Sequence, residues 1–259
     1  MKILILGAGK MGSFFSDLLS FDHEVAVLEK DPKRMRFIYN SIRMKSEQEI
    51  KEFEPDIVIN CATLNHTIDA FISILSYLKP HCIISDIASV KTNLKEFYAT
   101  CGFPYVSTHP MFGPTFANLS NLTEENTVII SEGDHLGKVF FKDLYGKLRL
   151  RIFEYTFDEH DKTVAYSLGI PFASTLVFTA TMEHQDAPGT TFKRHMNIAR
   201  GLFSEDDYLL TEILFNPRTP LQLERIQEKL SILQEIIEAK DTMRMRSFLA
   251  DLRRKIELS

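Results

Sequence analysis

The 259-residue chain has few cysteines, no strong excess of one charge and no obvious long apolar run. The three cysteines, Cys61, Cys82 and Cys101, are odd in number and lack C-x-x-C spacing, so they suggest neither a disulfide framework nor a zinc site. A formal net charge of −5 gives no reason to expect nucleic acid or an anionic membrane as a partner. We find no stretch that approaches a transmembrane length and no signal peptide, and we therefore expect a cytoplasmic protein.

Two styles of sequence follow one another along the chain. Up to about residue 155, short β-rich runs alternate with helical stretches, which predicts a parallel sheet covered on both faces. The runs are KILIL, HEVAVLE, DIVINCA, CIISDI, PYVST, NTVIIS and LRIFEY. From about Phe157 onward helical periodicity takes over, and Pro171 should kink or break one of these helices.

A glycine-rich turn follows the first apolar run. Gly7, Gly9 and Gly12 have the G-x-G-x-x-G spacing, with a strand before them and a helical segment after them. In a dinucleotide-binding unit these glycines make the turn, admit the pyrophosphate and let the helix pack closely on the strand. A turn without a ligand would carry the same spacing. In this context we predict that the loop, with Lys10 and Met11, binds a dinucleotide.

An acidic residue ends the second predicted strand. Glu29 lies 17 residues after Gly12, about where a carboxylate should accept hydrogen bonds from the adenosine ribose. Its charge would repel a 2′-phosphate, which favours NAD over NADP, although the nearby Lys30, Lys33 and Arg34 weaken that preference. We therefore predict an α/β protein with a Rossmann-type NAD-binding domain at 1–156, followed by an all-helical dimerisation and substrate domain at 157–259.

Three further segments follow strands at the edge where ligands bind in open α/β sheets. Cys61, Ala62 and Thr63 would lie against the cofactor, although a plain turn explains them almost as well. The second segment is SDIASVKT (85–92), and the third is STHPMFGPT (107–115). Pro110, Gly113 and Pro114 predict irregular backbone around His109, which makes that imidazole a candidate general base near the nicotinamide.

The motifs GAGKMGSFF, DIASVKT, HPMFGPT and FDEHDKTVAYS resemble, in order and spacing, the prephenate dehydrogenases of tyrosine biosynthesis. The similarity extends over nearly the whole chain, including FKRHMNIARGLFSEDDYLLTEI (192–213), and we expect the dehydrogenase core alone. The resemblance implies NAD-dependent oxidative decarboxylation of prephenate to 4-hydroxyphenylpyruvate. It also implies that His109 accepts a hydrogen bond from the ring hydroxyl and that Ser89 supports this contact. No metal is needed, because aromatisation drives the reaction.

The consecutive residues Glu159, His160 and Asp161 are interpreted as a domain-junction or helix-start element, since neighbours on a helix point in different directions. The resemblance also places a substrate-carboxylate anchor in the helical half. Sequence register favours Lys193, whereas the planar fork of a guanidinium favours Arg194. Arg200 is a weaker third candidate. Lys91 is either a second anion contact or simply part of the first turn of its helix.

Two positions depart from the family pattern: Phe172 stands where many relatives have histidine, and Thr63 stands where proline is frequent. Near the carboxyl terminus, apolar residues recur every three or four positions on one helix face, which we call the 223–237 stripe. The stripe consists of Leu223, Ile226, Leu230, Leu233 and Ile237. It would pack on its own domain or against a second copy, and the resemblance favours a homodimer.

Other functions are compatible with parts of the same pattern. Arogenate, which has an amine where prephenate has a keto group, could be the substrate. A β-hydroxyacid dehydrogenase would leave the HPMFG motif unexplained. A redox sensor that binds NAD without turnover would have no use for Ser89 and His109.

Overall fold

The structure, a computed structural model, describes residues 1–36, 38–91, 93–112 and 122–258. Gly113, Pro114 and the rest of 113–121 lie outside the described residues, as do Phe37, Thr92 and Ser259. The strands of the described part are β1 (Lys2–Leu6), β2 (Glu24–Leu28), β3 (Ile42–Met44), β4 (Ile57–Asn60), β5 (Ile83–Asp86), β6 (Tyr105–Pro110), β7 (Asn126–Ile130) and β8 (Arg151–Tyr155). They form one eight-stranded sheet in the order β3-β2-β1-β4-β5-β6-β7-β8.

Helices connect the strands and then make up the rest of the described chain. Those of the amino-terminal part are α1 (Lys10–Leu19), α2 (Pro32–Met35), α3 (Glu49–Phe53), α4 (Thr67–Ile74), α5 (Leu94–Thr100) and α6 (His135–Lys147). The later ones are α7 (Phe157–Ser167), α8 (Gly169–Thr181), α9 (Thr190–Leu202), α10 (Asp207–Leu214), α11 (Thr219–Glu238) and α12 (Thr242–Glu257). Short 3-10 turns cover Leu64–His66 and Leu75–Tyr77.

The sheet differs from the prediction in two respects. β3 was missed, because it is only three residues long and two of them, Ile42 and Arg43, are exposed, so it has no apolar run. The sheet is also not parallel throughout, since β6 and β7 pair antiparallel and β8 runs parallel to β7. Apolar runs locate strands but carry no information on their direction, which only the pairing register reveals.

Each face of the sheet is covered by its own apolar cluster, as expected when helices pack on both sides. One cluster contains Phe15 of α1 and Tyr145 of α6, and the other contains Phe71 of α4 and Tyr98 of α5. The central strands β1 and β4 are almost completely buried, and both consist of nearly continuous apolar residues rather than alternating ones.

The chain divides into two compact units. The first comprises Met1–Thr163 with Asp207–Glu212, and the second comprises Val164–Asp206 with Ile213–Ser259. The sheet lies in the first unit, and the described residues of the second unit form helices joined by loops, with no strand among them. The division by contacts falls seven residues after the predicted boundary at 156/157, inside α7, and the predicted domain bounds stay a prediction.

The helical stretch Phe157–Thr181 corrects the expectation that no segment reaches a membrane-spanning length. By length and composition it could cross a membrane, since an 18-residue window within it has a mean hydropathy of 1.4, although core helices of soluble proteins pass the same test. Pro171, within this stretch, was predicted to kink or break a helix. The break lies instead at Leu168, between α7 and α8, and Pro171 occupies the first turn of α8, where its missing N–H costs no hydrogen bond.

Candidate active site

The predicted site segments follow neighbouring strands at one edge of the sheet. The register pairs Leu28 with Leu6, Leu6 with Asn60, and Asn60 with Asp86. Asp86 in turn pairs with Ser107 of β6. The residues that come next lie side by side in the order of their strands: Glu29, Gly7, Cys61, Ile87 and Thr108. This edge includes the switch point between β1 and β4, where strand order reverses and dinucleotides bind in open α/β sheets.

The three glycines have different surroundings. Gly7 has a φ of 93°, which favours glycine. A Cβ on Gly12 would lie 1.9 Å from the Gly7 carbonyl oxygen, so only glycine lets α1 approach β1 this closely. A Cβ on Gly9 would meet nothing within 4 Å. Gly9 therefore faces open space in front of α1, where a pyrophosphate would fit.

The amino terminus of α1 suits an anion. Gly9 is its N-cap residue, and among the described residues no side chain caps this end and no acidic residue lies in the first turn. The first backbone N–H groups of a helix lack intrahelical acceptors and carry a partial positive charge. The residues therefore fit a dinucleotide, whose phosphates would accept hydrogen bonds from the turn that includes Lys10 and Met11.

Glu29 links the end of β2 to the glycine loop. One carboxylate oxygen accepts from the Ala8 N–H at 2.7 Å, and the other accepts from the Asp31 N–H at 2.9 Å. The half-buried carboxylate is thus held beside the predicted pyrophosphate site, on the β2 side of the switch point. This is the position from which an acid reaches an adenosine ribose.

The loop after β4 lies against the glycine turn. The hypothetical Cβ of Gly7 would be 3.1 Å from the Cys61 carbonyl oxygen and 3.2 Å from the Ala62 nitrogen. Asn60 shapes this loop from its buried position, because its side chain accepts from the Ala62 N–H and donates to the Thr67 carbonyl. Thr63 precedes the 3-10 turn in the same loop.

His109 is part of a regular strand, which corrects the prediction of irregular backbone at this residue. It lies in β6 opposite Val128 of β7, and only 5% of it is exposed. The proline that follows it, Pro110, still ends the strand. The prediction failed because the antiparallel partner extends the pairing of β6 beyond the end of β5.

The imidazole of His109 contacts a second histidine. His109 Nδ1 lies 3.0 Å from Nε2 of His160, which is 1% exposed in α7. His160 Nδ1 in turn lies 3.3 Å from a carboxylate oxygen of Asp161. Burial lowers the pKa of His109 well below its usual 6.5, with additional repulsion from His160 and Lys91. Burial also lowers the pKa of His160, so both rings are neutral at pH 7.

Lys91 belongs to a buried network behind His109. Its ammonium donates to Asp86 at 2.6 Å and to the Thr108 carbonyl at 2.7 Å, and both charged side chains are 0% exposed. The Tyr98 hydroxyl and the Ala88 N–H also donate to the Asp86 carboxylate. With these internal partners, Lys91 is held as a structural cation, and the alternative role as a direct substrate contact has no support from this geometry.

The remaining predicted residues lie in two places. Ser89 is half-buried in the loop after β5, next to the strand that carries His109. Lys193 and Arg194 are exposed on α9 in the second unit, and Arg200 on the same helix donates to Asn197. The structure thus brings the predicted cofactor residues, Ser89 and His109 to one sheet edge, and it does not distinguish the two anchor candidates.

Sequence reasoning underestimated His160 and missed Asp86. The available signals were the EHD motif and the aspartate that opens DIASVKT, both of which stood in the quoted family motifs. Neither residue is recognisable from spacing alone. His160 contacts His109, which is 51 positions away in the sequence, and Asp86 contacts Tyr98, which is 12 positions away.

The nucleotide-binding domain of prephenate dehydrogenase matches residues 21–150, half of the chain. The chain belongs to the prephenate dehydrogenase family. A curated relative from Methanocaldococcus jannaschii, described as "Probable arogenate/prephenate dehydrogenase", is 22% identical over 201 residues. The match covers 72% of this chain and 44% of that protein, so the chain spans less than half the length of the relative.

Solved structures show the same fold. Prephenate dehydrogenase from Aquifex aeolicus, in complex with hydroxyphenyl propionate and NAD+, has a TM-score of 0.84 at 19% identity, covering 100% of this chain and 98% of the other. Arogenate dehydrogenase from Synechocystis has a TM-score of 0.79 at 18% identity, covering 99% of both chains. These likenesses confirm the predicted α/β fold with a helical carboxyl-terminal part, and the family match confirms the nucleotide-binding domain.

Proposed function

We propose that this family member is an NAD-dependent dehydrogenase that oxidatively decarboxylates prephenate to 4-hydroxyphenylpyruvate. The observation that carries the proposal is the sheet edge that holds the glycine loop and a buried, neutral histidine on opposite sides of the switch point. Three strand steps separate β1 from β6, or about 14 Å at the usual spacing of neighbouring strands. A dinucleotide with its ribose at Glu29 would extend toward His109 along this edge.

The residues of this chain would supply orientation and proton transfer. The glycine loop and Glu29 would hold NAD+, which would supply a hydride acceptor for the ring carbon that carries the hydroxyl. His109, neutral at pH 7, accepts the hydroxyl proton, and Ser89 orients that contact. Carbon dioxide leaves from the opposite ring carbon as the ring becomes aromatic, and the resulting phenolate oxygen takes the proton back from His109. General-base catalysis of this kind contributes roughly 10²- to 10⁴-fold to the rate.

The substrate carboxylate on the side chain needs a cation, and we propose Lys193 or Arg194 for this role. Both are exposed cations in the first two turns of α9. Successive side chains on a helix differ by roughly 100° in direction, so one of the two should serve. Replacing each with methionine should raise KM for the substrate in only one variant, and Lys229→Met, an exposed cation on α11 outside the set of anchor candidates, is the control.

Arogenate is the second candidate substrate, because the family relatives include enzymes named for both compounds. The deciding experiment follows NADH formation by purified protein with NAD+ and either prephenate or arogenate. We expect turnover with prephenate and 4-hydroxyphenylpyruvate as the product. Turnover with arogenate alone would reassign the substrate, and NAD+ binding without turnover of either would favour the sensor hypothesis.

The role of His109 has its own test. His109→Asn should reduce kcat by about 10²- to 10⁴-fold and leave NAD+ affinity unchanged, because the side chain acts on the hydroxyl and not on the dinucleotide. A kcat near that of the wild type would show that His109 is not the base.

We further propose a homodimer formed through the helical unit. Leu223, Leu230 and Ile237 of the 223–237 stripe are 39%, 60% and 57% exposed, whereas Ile236 on another face of α11 is buried. Three of the five side chains of the stripe are therefore exposed, while Ile226 and Leu233 are half-buried, and the exposed three support its use against a second copy. Sedimentation of the wild type and of Leu230→Glu measures the oligomeric state, and we expect a dimer for the wild type and a monomer for the variant. For the location we propose the cytoplasm, which the three free cysteine thiols support.

A further inference from the structure

The contact between His109 and His160 joins two rings that are both buried. The ring nitrogens lie 3.0 Å apart, and the ring centroids are 5.2 Å apart at an interplanar angle of 64°. Two neutral imidazoles can form this hydrogen bond only if one nitrogen carries the proton and the other presents a lone pair. The direction of the bond therefore determines which nitrogen of His109 remains basic.

Asp161 decides the direction of the bond. A carboxylate only accepts, so the His160 Nδ1 at 3.3 Å must be the protonated nitrogen. In neutral His160 the other nitrogen, Nε2, then has only a lone pair, and it accepts from His109 Nδ1–H. His109 is left with an unprotonated Nε2. This is the tautomer that a general base requires, because the basic nitrogen points away from the His160 contact.

We propose that His160 is a positioning residue that, together with Asp161, holds the base His109 in the tautomer with a free Nε2. The inference rests on the proposed function, in which His109 Nε2 accepts the hydroxyl proton. During that step His160 keeps its proton, and the cation formed on His109 is stabilised by the hydrogen bond from its Nδ1–H to His160. The carboxylate of Asp161 offsets the charge through the intervening ring.

Burial leaves the two rings few alternative hydrogen-bond partners. His160 is 1% exposed and His109 is 5% exposed, so water cannot easily replace either ring as a partner. If the acceptor on His160 is removed, the energetic reason for a proton on His109 Nδ1 disappears. The imidazole is then free to carry its proton on Nε2, where it cannot act as a base.

The first experiment compares two substitutions at the same position. His160→Leu removes the acceptor, whereas His160→Gln keeps an amide oxygen that can accept from His109 Nδ1–H. We expect kcat to fall by about 10- to 100-fold in H160L, the effect typical of losing a partner that orients a functional histidine. H160Q should recover most of this loss, and KM for NAD+ should change in neither. His23→Leu, a half-buried histidine beside Phe140, is the control.

The second experiment needs no substrate. Long-range ¹H–¹⁵N spectra of protein labelled at histidine show which ring nitrogen carries the proton, and His109→Asn assigns the signals. We expect Nδ1–H for His109 in the wild type, H160Q and H23L, and a detectable Nε2–H population in H160L. Should H160L fail to fold, the wild-type spectrum alone decides.

The two experiments separate this inference from the proposed function. An Nε2–H tautomer in the wild type, or an active enzyme in which H160L keeps its full kcat, would overturn the role of His160 and leave the dehydrogenase intact. A protein with the expected tautomer that turns over neither substrate would instead overturn the proposed function.

Discussion

Breaking the buried ion pair behind His109 should cost far more stability than breaking an exposed pair of equal length. Lys91→Met replaces the ammonium with an apolar group of similar size and leaves the Asp86 carboxylate without its counter-ion. Both side chains are 0% exposed and the N···O distance is 2.6 Å. Removing one partner of a buried pair typically costs about 3–5 kcal/mol. Two donors to Asp86 survive, the Tyr98 hydroxyl and the Ala88 N–H, so we expect about 3 kcal/mol.

An exposed pair supplies the matched control. Lys142 and Glu154 also lie 2.6 Å apart, but their side chains are 44% and 42% exposed. Lys142→Met should cost about 1 kcal/mol or less, since solvent screens the charge left behind. The two variants therefore differ in burial and not in the length of the bond.

Urea unfolding followed by circular dichroism measures both variants. With a slope of about 2 kcal/mol per molar, the expected loss for K91M corresponds to a midpoint shift of roughly 1.5 M. The double variant D86N/K91M should recover much of this loss, because it removes the uncompensated charge along with its partner. A midpoint for K91M no lower than that of K142M would refute the argument from burial.

The other predictions concern the cofactor loop and the base. Gly12→Ala should destabilise the protein by about 1–3 kcal/mol, because its Cβ would collide with the Gly7 carbonyl. Gly9→Ala should unfold like the wild type in urea but bind NAD+ more weakly in calorimetry. Glu29→Ser should improve the affinity for NADP+ relative to NAD+ by about tenfold, equivalent to 1.4 kcal/mol, and an unchanged ratio would exclude Glu29 from cofactor choice. The acid limb of kcat/KM should lie well below pH 6.5, since burial lowers the pKa of His109 and the base acts when neutral. Stability should also fall as the pH drops below 6.5, because the unfolded chain then binds protons that the buried ring does not.

The sequence predicted the parts of the fold that depend on local pattern. Apolar runs located seven of the eight strands of the described sheet, and the change to helical periodicity after Phe157 was confirmed. The direction of β7 and β8 could not be predicted, because strand pairing is decided by contacts distant in sequence. The same limit applies to the site. Glycine spacing predicted a turn that lets α1 pack closely against the end of β1, and the structure shows this packing. In contrast, nothing local to Lys91 indicated that Asp86 would neutralise its charge.

The EHD segment shows how a correct local argument can coexist with an incomplete conclusion. Glu159 accepts from the Thr156 N–H at 2.8 Å while Thr156 Oγ1 accepts from the Glu159 N–H at 3.2 Å, a capping box that begins α7. The interpretation of the EHD segment as a helix start is therefore correct for Glu159. Because successive side chains on a helix diverge, the next residue had to point elsewhere, and His160 points to His109. Glu159 can therefore cap the helix while His160 contacts His109 and Asp161 accepts a hydrogen bond from the His160 ring.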